Sequence, residues 1–370
     1  MTRFRALRLV ATITVGVWCL ARVQAAPVSQ KPAQKPFTRE ARLETIRRAQ
    51  VWMPIRIPSM DLKAGPKDPE GFASGGTVAC DFVKHSRGNG ATPKFWCATP
   101  LDDEIKVRYR ERNGHVYAQV AATRLLWALG FGADRAYPVK VLCRNCPPDP
   151  WASLEKPQGE PQSILFDPAT IDRKMPGNTL ETKPDQGWAW KELDLVDEAA
   201  GGAPLAQRDA LKLLAVFIQH TDTKSGNQRL ICLDKRLGKP DNGECAHPFM
   251  MIPDLGTTFG HANAFNRDGP GSVNFQNWSQ TPIWRNEKKG NGNCIGNLPG
   301  SVSGTLDNPP VSEAGRKFLA DLLVQLSDTQ LHDLFEVARF TRRDPKASIE
   351  DWVQAFKRKR DEIVNRTCSS

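Results

Sequence analysis

Apolar positions along this 370-residue chain follow two rhythms, and the places where one gives way to the other mark its elements. Three short runs at residues 78–84, 94–98 and 104–109 are rich in β-branched and aromatic residues, are bounded by Gly, Pro, Asn and Asp, and predict strands. A Gly-rich turn, His85-Ser-Arg-Gly88-Asn-Gly90-Ala-Thr92-Pro, joins the first two. After Asn113-Gly114 the period becomes helical: in HVYAQVAATRLLWALGF the residues Val116, Val120, Leu125, Ala128 and Leu129 form a broad apolar stripe. A further strand is expected at 137–142 and an irregular loop at 147–161. Residues 205–219 predict a second buried helix, with Leu211, Leu214, Ala215 and Ile218 on one face, and two short strands follow at 229–233 and 249–252. Helices over 312–326, 328–340 and 347–365 end the chain, the last two opened by the capping-type starts Ser327-Asp328 and Ser348-Ile-Glu-Asp351. Residues 26–75 begin rich in Pro, Lys and Gln, as a tether does, and then offer one amphipathic stretch at 38–52.

Composition adds a class and a compartment. With 40% hydrophobic and 25% charged residues, the chain can bury one large core or two lobes. Residues 1–25 carry Arg3, Arg5 and Arg8, an apolar run over 9–20, and Val23-Gln24-Ala25 as a cleavage site, the layout of a signal peptide. The mature chain is therefore expected to begin near Ala26 and to be secreted or periplasmic. An uncleaved anchor is the second option, although the run is short for a membrane span. Without the four arginines of that leader (Arg3, Arg5, Arg8, Arg22) the formal charge falls from +10 to +6. No stripe of Lys and Arg with interleaved aromatics points to nucleic acid. Nine cysteines less Cys19 leave an even set, and in an exported chain disulfides are expected. Cys80 with Cys97, and Cys232 with Cys245, are the sensible pairs across neighbouring strands. Cys143-Arg-Asn-Cys146, with Cys245-Ala-His247, leaves half of a zinc site as the other option. Asn277-Trp-Ser279 and Asn365-Arg-Thr367 fit the glycosylation pattern.

Candidate chemistry lies between the second helix and the two strands after it. There the chain reads His220-Thr-Asp222-Thr-Lys224-Ser-Gly-Asn227 and then Asp254-Leu-Gly256. An Asp-x4-Asn or an Asp-x-Gly alone arises about once in a chain of this length, but the added His and Lys lower the chance by roughly a thousandfold. Phosphoryl transfer needs these residue types in this order: an Asp to accept a hydroxyl proton, a Lys to steady the moving phosphoryl group, an Asn and a second Asp to hold metal.

On those motifs the chain resembles the protein-kinase-like superfamily, and within it the atypical branches: the phosphoinositide-kinase-like, HipA-like and secretory-pathway kinases. The resemblance spans roughly residues 75–365, is sharp at the two motifs, and is a matter of order elsewhere. It implies an α+β, two-lobed fold braced by disulfides, with a small β-rich lobe at 76–185 and a larger helical lobe at 186–370. ATP with Mg²⁺ or Mn²⁺ would occupy the cleft, and the acceptor would be a hydroxyl on a protein, a lipid, a sugar or another small molecule. Asp222 would be the base, Lys224 a phosphate contact, and Asn227 and Asp254 the metal ligands. Lys106 would position the nucleotide, with Lys94 its competitor, and Gly88 and Gly90 would lie over the phosphates. His220 would brace the catalytic-loop backbone. One position departs from the pattern: Gln119 stands where the helix glutamate is expected, and an amide can hydrogen-bond Lys106 without neutralising it. Glu111 or Glu192 would then be its substitutes, although the Trp-rich stretch around Glu192 also reads as packing. Thr221 replaces the usual Arg and no Ala-Pro-Glu follows, so phosphorylation of an activation segment is not the expected switch. Residues 257–300, with His261, Asn263, Trp278 and Trp284, would face the acceptor. Two other readings stand beside the kinase: a catalytically weak or inactive kinase-like binding or scaffold protein, and a metal-dependent hydrolase using Asp222, Asp254 and His261.

Overall fold

Strand pairing converts the first half of the chain into a closed barrel. The computed structural model describes residues 38–86, 92–101, 103–156, 159–181, 186–234, 245–262, 271–285 and 294–369. The signal segment, Gly88, Gly90 and Asn263 lie outside them. After helix α1 (Arg39–Arg47), capped by the Thr38 hydroxyl, come β1 (Thr77–Val83), β2 (Lys94–Ala98) and β3 (Glu104–Tyr109), paired antiparallel in sequence order. Helix α2 (His115–Leu129) intervenes, then β4 (Arg135–Cys146), the short α3 (Pro150–Ser153) and β5 (Gln162–Arg173). β5 pairs with both β3 and β4, and β4 closes the ring by running parallel to β1, with Cys143 opposite Cys80. Phe95, Ile105, Val107, Val139, Val141 and Ile171 fill the interior.

β5 was not expected from the sequence. Its run SILFDPATID is interrupted by Asp167 and Pro168, which break both the alternation and the supply of ladder donors. The structure accommodates them at an irregularity, where the register shifts between Val139 opposite Ala169 and Val141 opposite Phe166. Asp172 thereby comes to stand opposite Lys106.

Helix α2 is more deeply placed than its apolar stripe implied: every residue but Trp127 is buried, the condition of a helix covered on all sides. Leu125, Leu126 and Leu129 each contribute about 2 kcal/mol through that burial. The barrel binds one flank, where the Thr170 hydroxyl donates to the Val116 carbonyl. The N-terminal segment binds another: Trp52 Nε1 donates to Leu129, and Arg124 donates to the carbonyls of Leu62 and Lys63. Gly130 ends the helix in the left-handed region (φ 85°), and a Cβ there would lie 2.3 Å from the Met53 carbonyl oxygen.

Helix α4 (Leu205–Phe217) leads into a small sheet of β6 (Asn178–Thr179), β7 (Arg229–Cys232) and β8 (Pro248–Met251). One face of that sheet, Leu230, Met250 and Ile252, joins the main core. The other face carries Ile231, Phe249 and Met251, which pack with Met175. Further on, α5 (Phe275–Gln280), the paired two-residue strands β9 (Cys294–Ile295) and β10 (Pro310–Val311), α6 (Glu313–Leu323), α7 (Asp328–Val337), α8 (Phe340–Arg343) and α9 (Ile349–Val364) complete a helical layer. Its aromatic centre joins Phe217, Phe259, Trp278, Phe335, Trp352 and Phe356. Phe37–Ser370 is one compact unit.

Four disulfides lie among the described residues: Cys80–Cys97, Cys143–Cys146, Cys232–Cys245 and Cys294–Cys368. The two expected pairs are present. Cys143 and Cys146 bond to each other rather than offering thiolates to zinc, and His247 turns to Asp234 at 2.8 Å. Such a set belongs to an oxidising environment. Among the described residues no helix is long and apolar enough to cross a membrane.

Candidate active site

Leaving α4, the chain turns sharply at Gln219, whose φ of 52° is left-handed, and enters the loop that carries the first motif. Asn227 Nδ2 donates to the Asp222 carbonyl at 2.9 Å and closes this loop on itself. Thr223 is held from outside: its carbonyl accepts from the Thr305 backbone and hydroxyl, at 3.1 and 2.8 Å. Lys224 Nζ lies 2.9 Å from Asp222 Oδ2, both partly exposed. Antiparallel pairing of β7 and β8, with Arg229 opposite Met251, brings Asn227 and Asp254 to the same end of one hairpin.

Asp254 sits where that hairpin meets the barrel. His115 Nε2 is 3.2 Å from its Oδ1, and Arg108 Nη2 is 3.9 Å from its Oδ2. Burial alone would raise this carboxyl, yet His115, Arg108 and Lys106 hold it well below the usual range. Arg108 Nη1 and the Thr92 hydroxyl approach His115 Nδ1 at 3.4 and 3.3 Å. Asp172 receives the Arg108 Nε–H at 2.8 Å and lies 3.4 Å from Lys106 Nζ. Its burial also favours the neutral form, and Arg108 and Lys106 overcome it.

Gln119 is not the partner of Lys106. Its Nε2 donates to the Pro253 carbonyl and its Oε1 accepts from the Leu255 N–H, both at 2.7 Å. The acid beside Lys106 is Asp172, because β3–β5 pairing puts them opposite while α2 turns Gln119 toward the hairpin. Neither proposed substitute approaches: Glu192 pairs with Arg42 at 2.7 Å and Glu111 with Arg342 at 3.3 Å. Lys94 lies over the Trp151 ring, 4.8 Å from its centroid. Trp188 and Trp190 are buried, as the packing reading of their stretch requires.

His220 differs from expectation as well. Neither ring nitrogen has a hydrogen-bond partner among the described residues, and the ring packs beside Trp190. Burial pushes its pKa down to about 4, against the pull of Asp222 and Asp254. The hydroxyl of Thr221 donates to the Ala262 carbonyl at 2.7 Å, and its backbone N–H donates to the Thr257 carbonyl, so Thr221 ties down the segment after Asp254.

Part of the acceptor surface was misassigned. Trp278 and Trp284 are buried, donating through their indole N–H groups to the carbonyls of Phe217 and Glu362. His261 is exposed, and its backbone N–H donates to Asn277 Oδ1. Asp222, Asp254 and His261 are not among the described groups of side chains close enough to share one metal ion. Sequence reasoning missed Asp172, Arg108 and His115. The alternation of Lys106 and Arg108 along β3 pointed to one shared face, but their acid lay on the unrecognised strand.

No protein-family model matches the chain, and no curated protein matches it. Among solved structures it is similar to the crystal structure of a Helicobacter pylori proinflammatory kinase, CtkA, at 10% identity over 78% of this chain and 93% of that one, with a TM-score of 0.39.

Proposed function

We propose that this protein is an exported kinase-like phosphotransferase that moves the γ-phosphoryl group of ATP to a hydroxyl. One observation carries the reading: Asp254, following β8, lies 3.2 Å from His115 Nε2 of α2 and 3.9 Å from Arg108 Nη2 of β3, so side chains of α2 and the barrel meet the catalytic-loop hairpin at one carboxylate. Asn227, whose Nδ2 is engaged with Asp222, has its amide oxygen as a second ligand atom. A carboxylate and an amide oxygen form a hard donor set that suits Mg²⁺ or Mn²⁺. The cation, when bound, would neutralise charge on the transferring phosphates.

The chain's own residues do the rest. Lys106, steadied by Asp172, reaches the nucleotide phosphates. Asp222 orients the acceptor hydroxyl and takes its proton as the new O–P bond forms and the bond from the γ-phosphorus to the β,γ-bridging oxygen breaks, leaving ADP. Lys224, adjacent to Asp222, follows the phosphoryl group. The Thr223–Thr305 contacts hold the loop in register.

ATP turnover and nucleotide-induced thermal shift, with and without cation, test this. Asp222→Asn is expected to keep nucleotide binding and lose roughly 10²–10⁴-fold in turnover, and Asp254→Ala is expected to abolish the cation-dependent shift. Undiminished activity in Asp254→Ala would remove the assigned chemistry. The second reading, a kinase-like binding protein without catalysis, draws on the existing Lys224–Asp222 ion pair, which engages the proposed base. Nucleotide binding without turnover would favour it.

A further inference from the structure

We infer that Gln119 is a positioning residue: its side-chain amide is a two-point clamp that sets the main chain on both sides of Asp254 and so fixes where that carboxylate points. The inference rests on the kinase reading for its consequence and on geometry for its substance. Gln119 is fully buried, and its two ends span the residue between them, donating to Pro253 and accepting from Leu255. An amide carries a donor and an acceptor on one planar group. A glutamate could serve the Leu255 N–H, but its charged form would turn a second acceptor on the Pro253 carbonyl. The departure from the family pattern therefore follows from what the position must bind.

Both elements that the clamp joins are held by further contacts. α2 is anchored to the barrel through Thr170 and to the N-terminal segment through Trp52 and Arg124. Below Asp254, the Thr258 hydroxyl donates to Leu255 and the Ser272 hydroxyl to Gly256. A helix anchored on two flanks thus reaches across to a turn tied by two hydroxyls, and Gln119 links them. Partners that orient a metal ligand characteristically govern metal affinity without touching the metal.

The test uses the full mature chain with Gln119→Met, Gln119→Glu and Gln119→Asn, the last keeping the amide while shortening its reach. Hydrogen exchange at the Leu255 amide reads the clamp without any ligand. It is expected to accelerate in Gln119→Met while the α4 and β7 amides keep their wild-type protection, and unchanged protection of Leu255 would overturn the inference. Magnesium titration in the presence of ATP reads the consequence: apparent cation affinity is expected to fall roughly 10- to 100-fold in Gln119→Met, with cation-free ATP binding unchanged. Gln119→Glu is decisive between roles. As a clamp it weakens cation binding; as a partner of Lys106 it would tighten ATP binding, and that result would overturn the inference. If Gln119→Met does not fold, Gln119→Asn carries the same two measurements. Should wild-type protein bind neither cation nor ATP, the kinase reading fails while the exchange result still decides the clamp.

Discussion

Gly256 shows how little room surrounds the candidate site. A Cβ built there would sit 1.3 Å from His115 Cδ2, so the glycine of Asp254-Leu-Gly256 is required by a ring from α2. Gly256→Ala is expected to cost about 3 kcal/mol by overpacking and to blunt the cation response as His115 and Asp254 move apart; thermal denaturation with and without magnesium measures both. Asp134 makes a second residue-scale prediction. Burial pushes its carboxyl up to about 7, opposed by the Met175 N–H it accepts and aided by nearby Asp172. The unfolded chain releases this proton from about pH 4, so the native state holds one more proton between pH 4 and 7 and stability falls as pH rises through that window. Asp134→Asn keeps an acceptor for Met175 and removes the penalty. Its stabilisation, read by denaturant titration, is expected to be about 2–3 kcal/mol larger at pH 8 than at pH 5. His220 acts in the opposite sense: the unfolded ring protonates near pH 6.5 and the buried one only near 4, so stability falls as pH falls between them. Asp222, Lys224, Asn227 and Asp254 could be nominated from the sequence as candidates because each motif is local in the chain. Asp172, Arg108 and His115 were not, since a partner chosen by register and burial leaves no local spacing.

At the scale of elements, β5 decides more than any motif. It closes the barrel, and it delivers Asp172 to Lys106 and Arg108 together. Asp172→Asn should therefore act twice. Removing one partner of a buried ion pair leaves Arg108 with only the more distant Asp254, expected to cost about 3 kcal/mol in chemical denaturation, and Lys106 loses its support, so the KM for ATP should rise. Lys106→Met separates the two effects: it should raise the KM for ATP while leaving denaturation nearly unchanged, because Lys106 is partly exposed. The strand escaped sequence reading because Asp167 and Pro168 mimic a turn, and only a facing irregularity in β4 makes them tolerable. Helix α2, by contrast, was plain from its period. What the period could not say is that nearly all of it is buried, so that Gln119, a polar residue off the stripe, must bind backbone rather than face solvent.

Across the whole molecule, disulfides stitch segments that the core joins only through packing. Cys294–Cys368 ties the end of the chain to β9 across a separation of 74 residues, whereas Cys143–Cys146 spans 3. Loop-closure entropy makes the long link worth about 4 kcal/mol and the short one about 2. The double variant Cys294→Ala with Cys368→Ala is expected to lower Tm by clearly more than Cys143→Ala with Cys146→Ala, and reductant should erase the difference between wild type and both variants. Calorimetry of the oxidised and reduced proteins checks this.

The sequence by itself determined the strands of the barrel except one, both buried helices, two of the four disulfides among the described residues, and the order of the acid, lysine and amide in the candidate loop. All of these depend on period or on neighbours a few residues away, where sterics and glycine act locally. Only the tertiary structure decided that the sheet closes, that Asp172 takes Lys106, that Trp278 and Trp284 face inward, and that Gln119 grips the chain around Asp254. Each of those depends on which distant segment arrives alongside, and a contact between remote segments is fixed by register and packing density rather than by the letters on either side.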